Sequence, residues 1–120
     1  MGKEDSIAIV IAYSKSVEDS KILDFICYGI EEEGIPYKLV AMDIKDAISL
    51  AKEGAKQSKL GIGLSLDEEG KGCLNHSNFK DDKVLFLKKI KTEEDARILG
   101  TNGARLMKGI PFKMEGKAKN

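Results

Sequence analysis

The sequence predicts an α/β protein, a three-layer α/β/α sandwich around a mixed, mostly parallel sheet of five strands with one strand antiparallel. Three observations lead there. Short apolar runs alternate with segments whose apolar residues recur at helical spacing, in the order βαβαβββα. The first run, IAIVIAY at 7–13, is apolar on both faces, as a central strand covered by helices on both sides must be. Between the third and fourth strands stands only the polar turn DEEGKG at 67–72, too short for a helical crossover, so the fourth strand returns antiparallel.

Each element has a local justification. After the first strand Ser16 is a candidate N-cap, with Glu18 and Asp19 in the following turn, where negative charge suits the helix dipole. The helix it opens runs to about Glu33, with Ile22, Leu23, Phe25, Ile26 and Ile30 in one stripe and Gly29 as a point of close backbone approach. YKLVAM at 37–42 is the second strand. Asp43 is a candidate cap for the second helix, IKDAISLAKEGAKQ, which turns Ile44, Ala47, Ile48, Ala51 and Ala55 inward. LGIGLSL at 60–66, GCLNHSNF at 72–79 and VLFL at 84–87 are the remaining strands. Thr92 caps the last helix, which begins EED and ends near Lys108, with Gly100 and Gly103 as weak points or close contacts. The polar tail at 115–120 reads as frayed.

Composition narrows the function. A chain of 120 residues, 42% apolar and with two prolines, fits one domain spanning 1–120 that buries its own core. Twenty basic and twenty acidic side chains cancel and lie scattered, so neither a nucleic-acid footprint nor a polybasic membrane patch is present. Cys27 and Cys73 sit in apolar stretches without a CxxC spacing or a secretory signal, which reads as reduced thiols in a cytoplasm. No apolar run approaches the roughly 20 residues of a membrane span. The opening MGKEDS matches the loose acylation pattern Met-Gly-x-x-x-Ser, yet Ser6 leads straight into a strand, which disfavours that reading.

The segment EEEGIPYKL at 31–39 has an echo in MKGIPFKM at 107–114. In both copies Gly follows a helix, where a left-handed residue closes the C-terminus, Ile takes the apolar position beyond it, and Pro prevents continuation. Each copy is a helix stop. The residues before the stops differ. Lys108 suits the negative end of a helix dipole, whereas Glu31, Glu32 and Glu33 are each disfavoured there by roughly 0.3–1 kcal/mol when exposed. At about 100° per residue the three fan apart: Glu33 toward the Ile22 and Ile26 side, Glu31 toward solvent, and Glu32 at the rim, flanked by Phe25 and Tyr28. Two readings of that rim stand side by side, a contact surface for a metal or a basic partner, and a solvated charge run.

Other chemistry is sparse. His76 has no nearby Cys or second His with which to hold a metal and reads as a surface or hairpin histidine. Gly61 and Gly63 form Gly-x-Gly inside a strand, but no Gly-x-Gly-x-x-Gly opens a helix and no phosphate-binding P-loop is present, so the chain is not expected to bind nucleotide. No serine stands in a nucleophile elbow and no Cys/His pair suggests covalent catalysis, which points to a non-enzyme.

GIEEEGIPYKL at 29–39 and TNGARLMKGIPFK at 101–113 resemble the two signature segments of the small subunit of diol and glycerol dehydratase reactivating factors. The likeness extends over most of the chain in length and element order, with 43–90 the least distinctive part. The resemblance implies a non-catalytic partner of a large actin-like ATPase subunit, in a complex that rescues an adenosylcobalamin-dependent dehydratase with a damaged cofactor. It implies exchange with the dehydratase's own medium subunit, which loosens the dehydratase and lets the dead cobalamin leave. It also implies a magnesium ion shared with the large subunit, to which the middle glutamate of Glu-Glu-Glu-Gly, Glu32 here, contributes. Glu31, Glu33 and Tyr28 are then expected beside it at the partner interface. The Asp-x-His-x-x-Gly arrangement of cobalamin-binding domains is missing, so neither nucleotide nor cobalamin is expected on this chain. The alternatives are a medium-subunit paralogue that contacts cobalamin and a free-standing flavodoxin-like ligand-binding module.

Overall fold

The computed structural model describes residues 7–79 and 83–113. The acylation pattern at the start of the chain and the tail at 115–120 lie outside them. The elements are β1 (Ile9–Ser14), α1 (Lys21–Glu32), β2 (Tyr37–Met42), α2 (Ala47–Gln57), β3 (Ile62–Leu66), β4 (Lys71–His76), β5 (Phe86–Lys89) and α3 (Glu93–Lys108). The sheet order is β2-β1-β3-β4-β5. β1 pairs parallel with β2 and β3, and β4 runs antiparallel to both β3 and β5. The predicted class is therefore the observed one.

β1 is buried along its whole length because a helix layer covers each face. On one face Ile9, Ile11, Ile62, Leu64 and Leu74 meet Leu23, Ile26, Ile30 and Leu99, contributed by α1 and α3. On the other, α2 presents mostly small residues, and Ala47 and Ala51 pack on Cys73. That face is tight: a Cβ on Gly63 would lie 2.2 Å from the Ala51 carbonyl oxygen. The Gly-x-Gly of β3 thus serves helix-to-sheet packing. Both cysteines are free and buried.

Two helices start later than predicted. After β1 the chain makes one 3-10 turn, Lys15–Val17, whose Val17 packs on the core, and Ser20 rather than Ser16 is the N-cap, its Oγ accepting from the Ile22 N–H at 3.1 Å. Glu18 and Asp19 consequently precede α1. For α2 the cap is Asp46 rather than Asp43, accepting from the Ser49 N–H at 2.9 Å. Ile44 packs beside Met42 and Leu50, and its carbonyl accepts from Ser14 Oγ at 2.7 Å, which holds residues 43–45 out of the helix. The α3 cap is at Thr92 as expected, with Asp95 completing a reciprocal capping box. β5 is shifted two residues beyond the apolar run VLFL: as an edge strand it half-buries alternate residues, leaving Leu87 exposed. β4 ends at His76, whose Nδ1 accepts from the Asn78 N–H at 3.0 Å, so this histidine closes a turn.

Both glycines behave as read, but of the two isoleucines beyond them only Ile35 packs on the core, while Ile110 is exposed. Gly34 and Gly109 have φ of 76° and 73°, a left-handed conformation that side chains disfavour. The two exits then diverge. Beyond Gly34 the chain enters β2 beside β1, with the Ile9 N–H donating to the Pro36 carbonyl at 3.0 Å. Beyond Gly109 it folds back along α3. There the Lys113 N–H donates to Asn102 Oδ1 at 2.6 Å, Asn102 Nδ2 donates to the Lys113 carbonyl at 3.1 Å, and Phe112 packs edge-on against Phe86. A buried asparagine side chain satisfies in the second copy the backbone groups that a strand satisfies in the first.

Candidate functional site

α1 and α3 lie side by side in the same direction, because both follow strands that run parallel. Their approach depends on two glycines. A Cβ on Gly29 would lie 2.2 Å from the Arg97 carbonyl oxygen, and one on Gly100 would lie 2.0 Å from that of Ile26. Thr101 Oγ1 donates to the Gly29 carbonyl at 3.4 Å across the same crossing. The close contact brings the C-terminal turn of α1 within reach of long cationic side chains on α3.

Those cations answer for two of the three glutamates that stand at the wrong end of a helix. Arg97 Nη1 donates to Glu32 Oε2 at 2.5 Å. Its guanidinium carbon lies 5.5 Å from the Phe25 ring centroid and 5.7 Å from that of Tyr28, and the two rings meet edge-on at 5.4 Å. The Arg97 cation thus rests on aromatic faces that attract it. Glu33 accepts from Lys108 Nζ at 3.0 Å and from Arg105 Nη2 at 3.4 Å. Glu31 is exposed, and its Oε2 accepts from the Tyr37 hydroxyl at 2.6 Å, which, with burial, raises the phenol well above its ordinary range. The structure brings Glu32 and Tyr28 into one cluster, places Glu33 in a second with the α3 cations, and sets Glu31 apart against β2. Glu31 and Glu32 stay exposed to solvent and Glu33 is half-buried, and each carboxylate has a partner of its own.

The sequence reading placed Lys108 at the end of the last helix but did not read it, Arg97 or Arg105 as partners of the glutamates. The signal that would have found them is their own spacing: Arg97, Arg105 and Lys108 fall within about 80° of one another on a helix, on the flank of α3 that borders the small residues. Lys108, whose ammonium is hydrogen-bonded to Glu33, with Arg105 beside it, holds that carboxyl below its ordinary range against an opposing effect of burial. A carboxyl lowered in the folded state contributes stability above its unfolded value, about 4, and loses it as pH falls through the folded one. The melting-temperature gap between the wild type and Glu33→Gln is expected to be open at pH 7 and to close below about pH 4. A gap of constant size down to pH 3 would show that the charge of Glu33 contributes nothing.

Glu32 suits one ligand of a hard cation, an oxygen donor on a side chain that is 55% exposed. It does not make a site alone: among the described residues no group of three or more His, Cys, Asp or Glu is arranged to hold a metal. The remaining ligands of a magnesium ion held there would be water molecules or groups contributed from elsewhere.

At the carboxyl end of β3, beside the N-terminus of α2, lies a groove of about 360 Å³ whose lining includes Asp46, Asp67, Glu68 and Glu69. The buried Asp67 carboxylate accepts from the backbone N–H groups of Ala47, Glu69 and Lys71 at 3.2, 2.9 and 2.9 Å. The chain's own Asp67 carboxylate therefore sits at the N-terminus of α2, where negative charge is favoured.

Fold and site together define a class: an α/β subunit whose distinguishing feature is a charged, aromatic helix flank rather than a ligand crevice. A family model described as "Dehydratase medium subunit" matches residues 7–113. The probable glycerol dehydratase-reactivating factor small subunit of Citrobacter freundii is 32% identical over 109 residues, 89% of this chain and 93% of that protein. The solved glycerol dehydratase reactivase superposes with a TM-score of 0.85 at 25% identity, covering 91% of this chain and 98% of the other. A diol dehydratase-reactivating factor complexed with ADP and Mg2+ superposes with a TM-score of 0.80 at 30% identity, covering 91% and 99%. The chain belongs to the dehydratase medium-subunit family, in the group formed by the small subunits of glycerol and diol dehydratase-reactivating factors. No described helix is long and apolar enough to cross a membrane.

Proposed function

We propose that this chain is the non-catalytic subunit of a cytoplasmic reactivating factor, bound to a large actin-like ATPase subunit through the α1–α3 flank, with Glu31, Glu32, Glu33 and Tyr28 at or beside the interface. In this reading Glu32 donates one oxygen to a magnesium ion whose other ligands belong to the large subunit. The chain exchanges with the medium subunit of an adenosylcobalamin-dependent glycerol or diol dehydratase, and the exchange releases damaged cobalamin. One observation carries the reading. The family model is described by the medium subunit, while the relative matched over 93% of its own length is a probable reactivating-factor small subunit. Two subunits built on one fold are what an exchange requires, because the swap works only if the competing interfaces have similar free energies; each 1.4 kcal/mol of difference biases it about tenfold.

The test is displacement. With the large subunit immobilised, excess dehydratase medium subunit is expected to release this chain in at least one nucleotide state. Retention in every state would end the exchange mechanism. The family description also favours a second reading, a medium-subunit paralogue that contacts cobalamin; tight binding of cobalamin to the isolated chain would support it in place of the first.

A further inference from the structure

We propose that the groove between α2 and the end of β4 is a binding site for a small anion that carries a hydroxyl group. The groove holds about 170 Å³ and is lined by Lys52, Lys56, Asn75, Ser77 and Phe79. Side chains alternate along a strand, so Asn75 faces α2 as Cys73 does, which packs on Ala47 and Ala51. His76 pairs with Ile62 at the start of β3, so the groove lies at the opposite end of the sheet from Asp67 and on the opposite face from α1 and α3. Asn75 is the residue that calls for a ligand. It is 2% exposed, and its Oδ1 is buried without a hydrogen-bond partner. A polar atom left unpaired in the interior loses its hydration with nothing in return, a state that native structures seldom keep. The terminal torsion of an asparagine is soft, so the amide can turn that oxygen toward the groove, where a hydroxyl donor would satisfy it. The charge comes from α2. Lys52 and Lys56 are four residues apart and share one side of the helix. Lys52 Nζ donates to the Lys83 carbonyl at 3.0 Å, which holds the ammonium in place with further N–H groups to spare. Lys56 meets Glu53 of its own helix at 3.6 Å. Among the described residues no carboxylate lines the groove, so its ammonium groups favour an anion. Ser77, anchored by its N–H donating to the Gly61 carbonyl at 2.8 Å, adds a hydroxyl, and the exposed Phe79 ring supplies an apolar wall for a short carbon skeleton.

The experiment is an NMR titration of the full chain with lactate and with propionate, which differ only in the hydroxyl group. Lactate at millimolar concentration is expected to shift the Asn75 side-chain amide and the Phe79 backbone amide saturably. It is expected to bind about two- to tenfold more tightly than propionate, the range to which one hydrogen bond converts. Asn75→Leu, close in size and without the amide, is expected to bind both acids equally and to melt no earlier than the wild type, because it removes an unpaired buried group. Lys52→Met, at a partly exposed position on α2, is expected to weaken both acids by the same factor and to leave the preference for lactate intact. That variant and the wild-type preference decide the matter even if Asn75→Leu fails to fold. If lactate and propionate bind alike to the wild type, or if Asn75→Leu keeps the preference, the hydroxyl contact is absent and the proposal is wrong. Shifts scattered over surface lysines with none at Asn75, or no shift at all, would mean that a trapped water satisfies the amide and that no site is built there.

Discussion

Gly29→Ala is expected to lower the melting temperature of the isolated chain by about 10 °C or to prevent it from accumulating folded, and Gly100→Ala is expected to do the same. Alanine ordinarily favours a helix over glycine by about 0.5–1 kcal/mol. Here the added methyl meets backbone: the Arg97 carbonyl oxygen at 2.2 Å from a Cβ on Gly29, and that of Ile26 at 2.0 Å from a Cβ on Gly100. No rotamer change relieves a clash with main chain, so the helices must separate, at the upper end of the roughly 1–3 kcal/mol that overpacking costs. The net loss of about 2 kcal/mol is a large part of a domain stability of about 5–15 kcal/mol. Gly54→Ala is the control. Its nearest neighbours would be Val10 atoms at 3.4 Å, an ordinary contact, so the helix preference is expected to win and stability to stay level or rise. Thermal melts of the three variants decide the matter, and a Gly29→Ala chain that melts with Gly54→Ala would show that the α1–α3 contact is looser than described.

Glu32→Gln is expected to weaken binding to the large subunit by about 2–5 kcal/mol, the usual cost of truncating one member of a buried charge pair, while leaving the isolated fold nearly unchanged. The two expectations have separate causes. In the isolated chain the substitution removes an exposed pair with Arg97 worth about 0.2–1 kcal/mol, and it also removes a negative charge from a helix C-terminus, which returns about 0.3–1 kcal/mol. These offset. In the proposed complex the carboxylate completes a metal site, and nothing offsets its loss. Chelating the magnesium is then expected to reproduce the mutant affinity in the wild type and to add little in the mutant. Glu31→Gln, which keeps an acceptor for the Tyr37 hydroxyl, is expected to retain the full magnesium dependence of binding, because its carboxylate is not the proposed ligand. A Glu32→Gln chain that binds normally but melts early would make the residue a structural one.

Part of the candidate site was legible along the chain, and part was not. The rim position of Glu32 between Phe25 and Tyr28 follows from helix geometry within one element, and the structure places the three together around Arg97. The partners of the glutamates did not follow. Arg97 is 65 residues from Glu32 and Lys108 is 75 from Glu33. Spacing within one helix says nothing about the register of a second helix against it.

The sequence by itself determined the elements and their order: the doubly covered β1, the antiparallel return of β4, the capping box at Thr92 and the glycine stops at Gly34 and Gly109. Each is settled by residues within a few positions of one another, through burial periodicity, turn length or a backbone angle that few side chains accept. Tertiary structure alone decided where α1 and α2 begin, because Ser16 and Ser20, or Asp43 and Asp46, are equally good caps locally, and the choice falls to the packing of Val17 and Ile44. It decided the charge pairing for the same reason. Attraction between side chains on α1 and α3 acts only once the contact at Gly29 and Gly100 has set the two helices side by side, and that contact depends on shape rather than on any pattern that either helix displays alone.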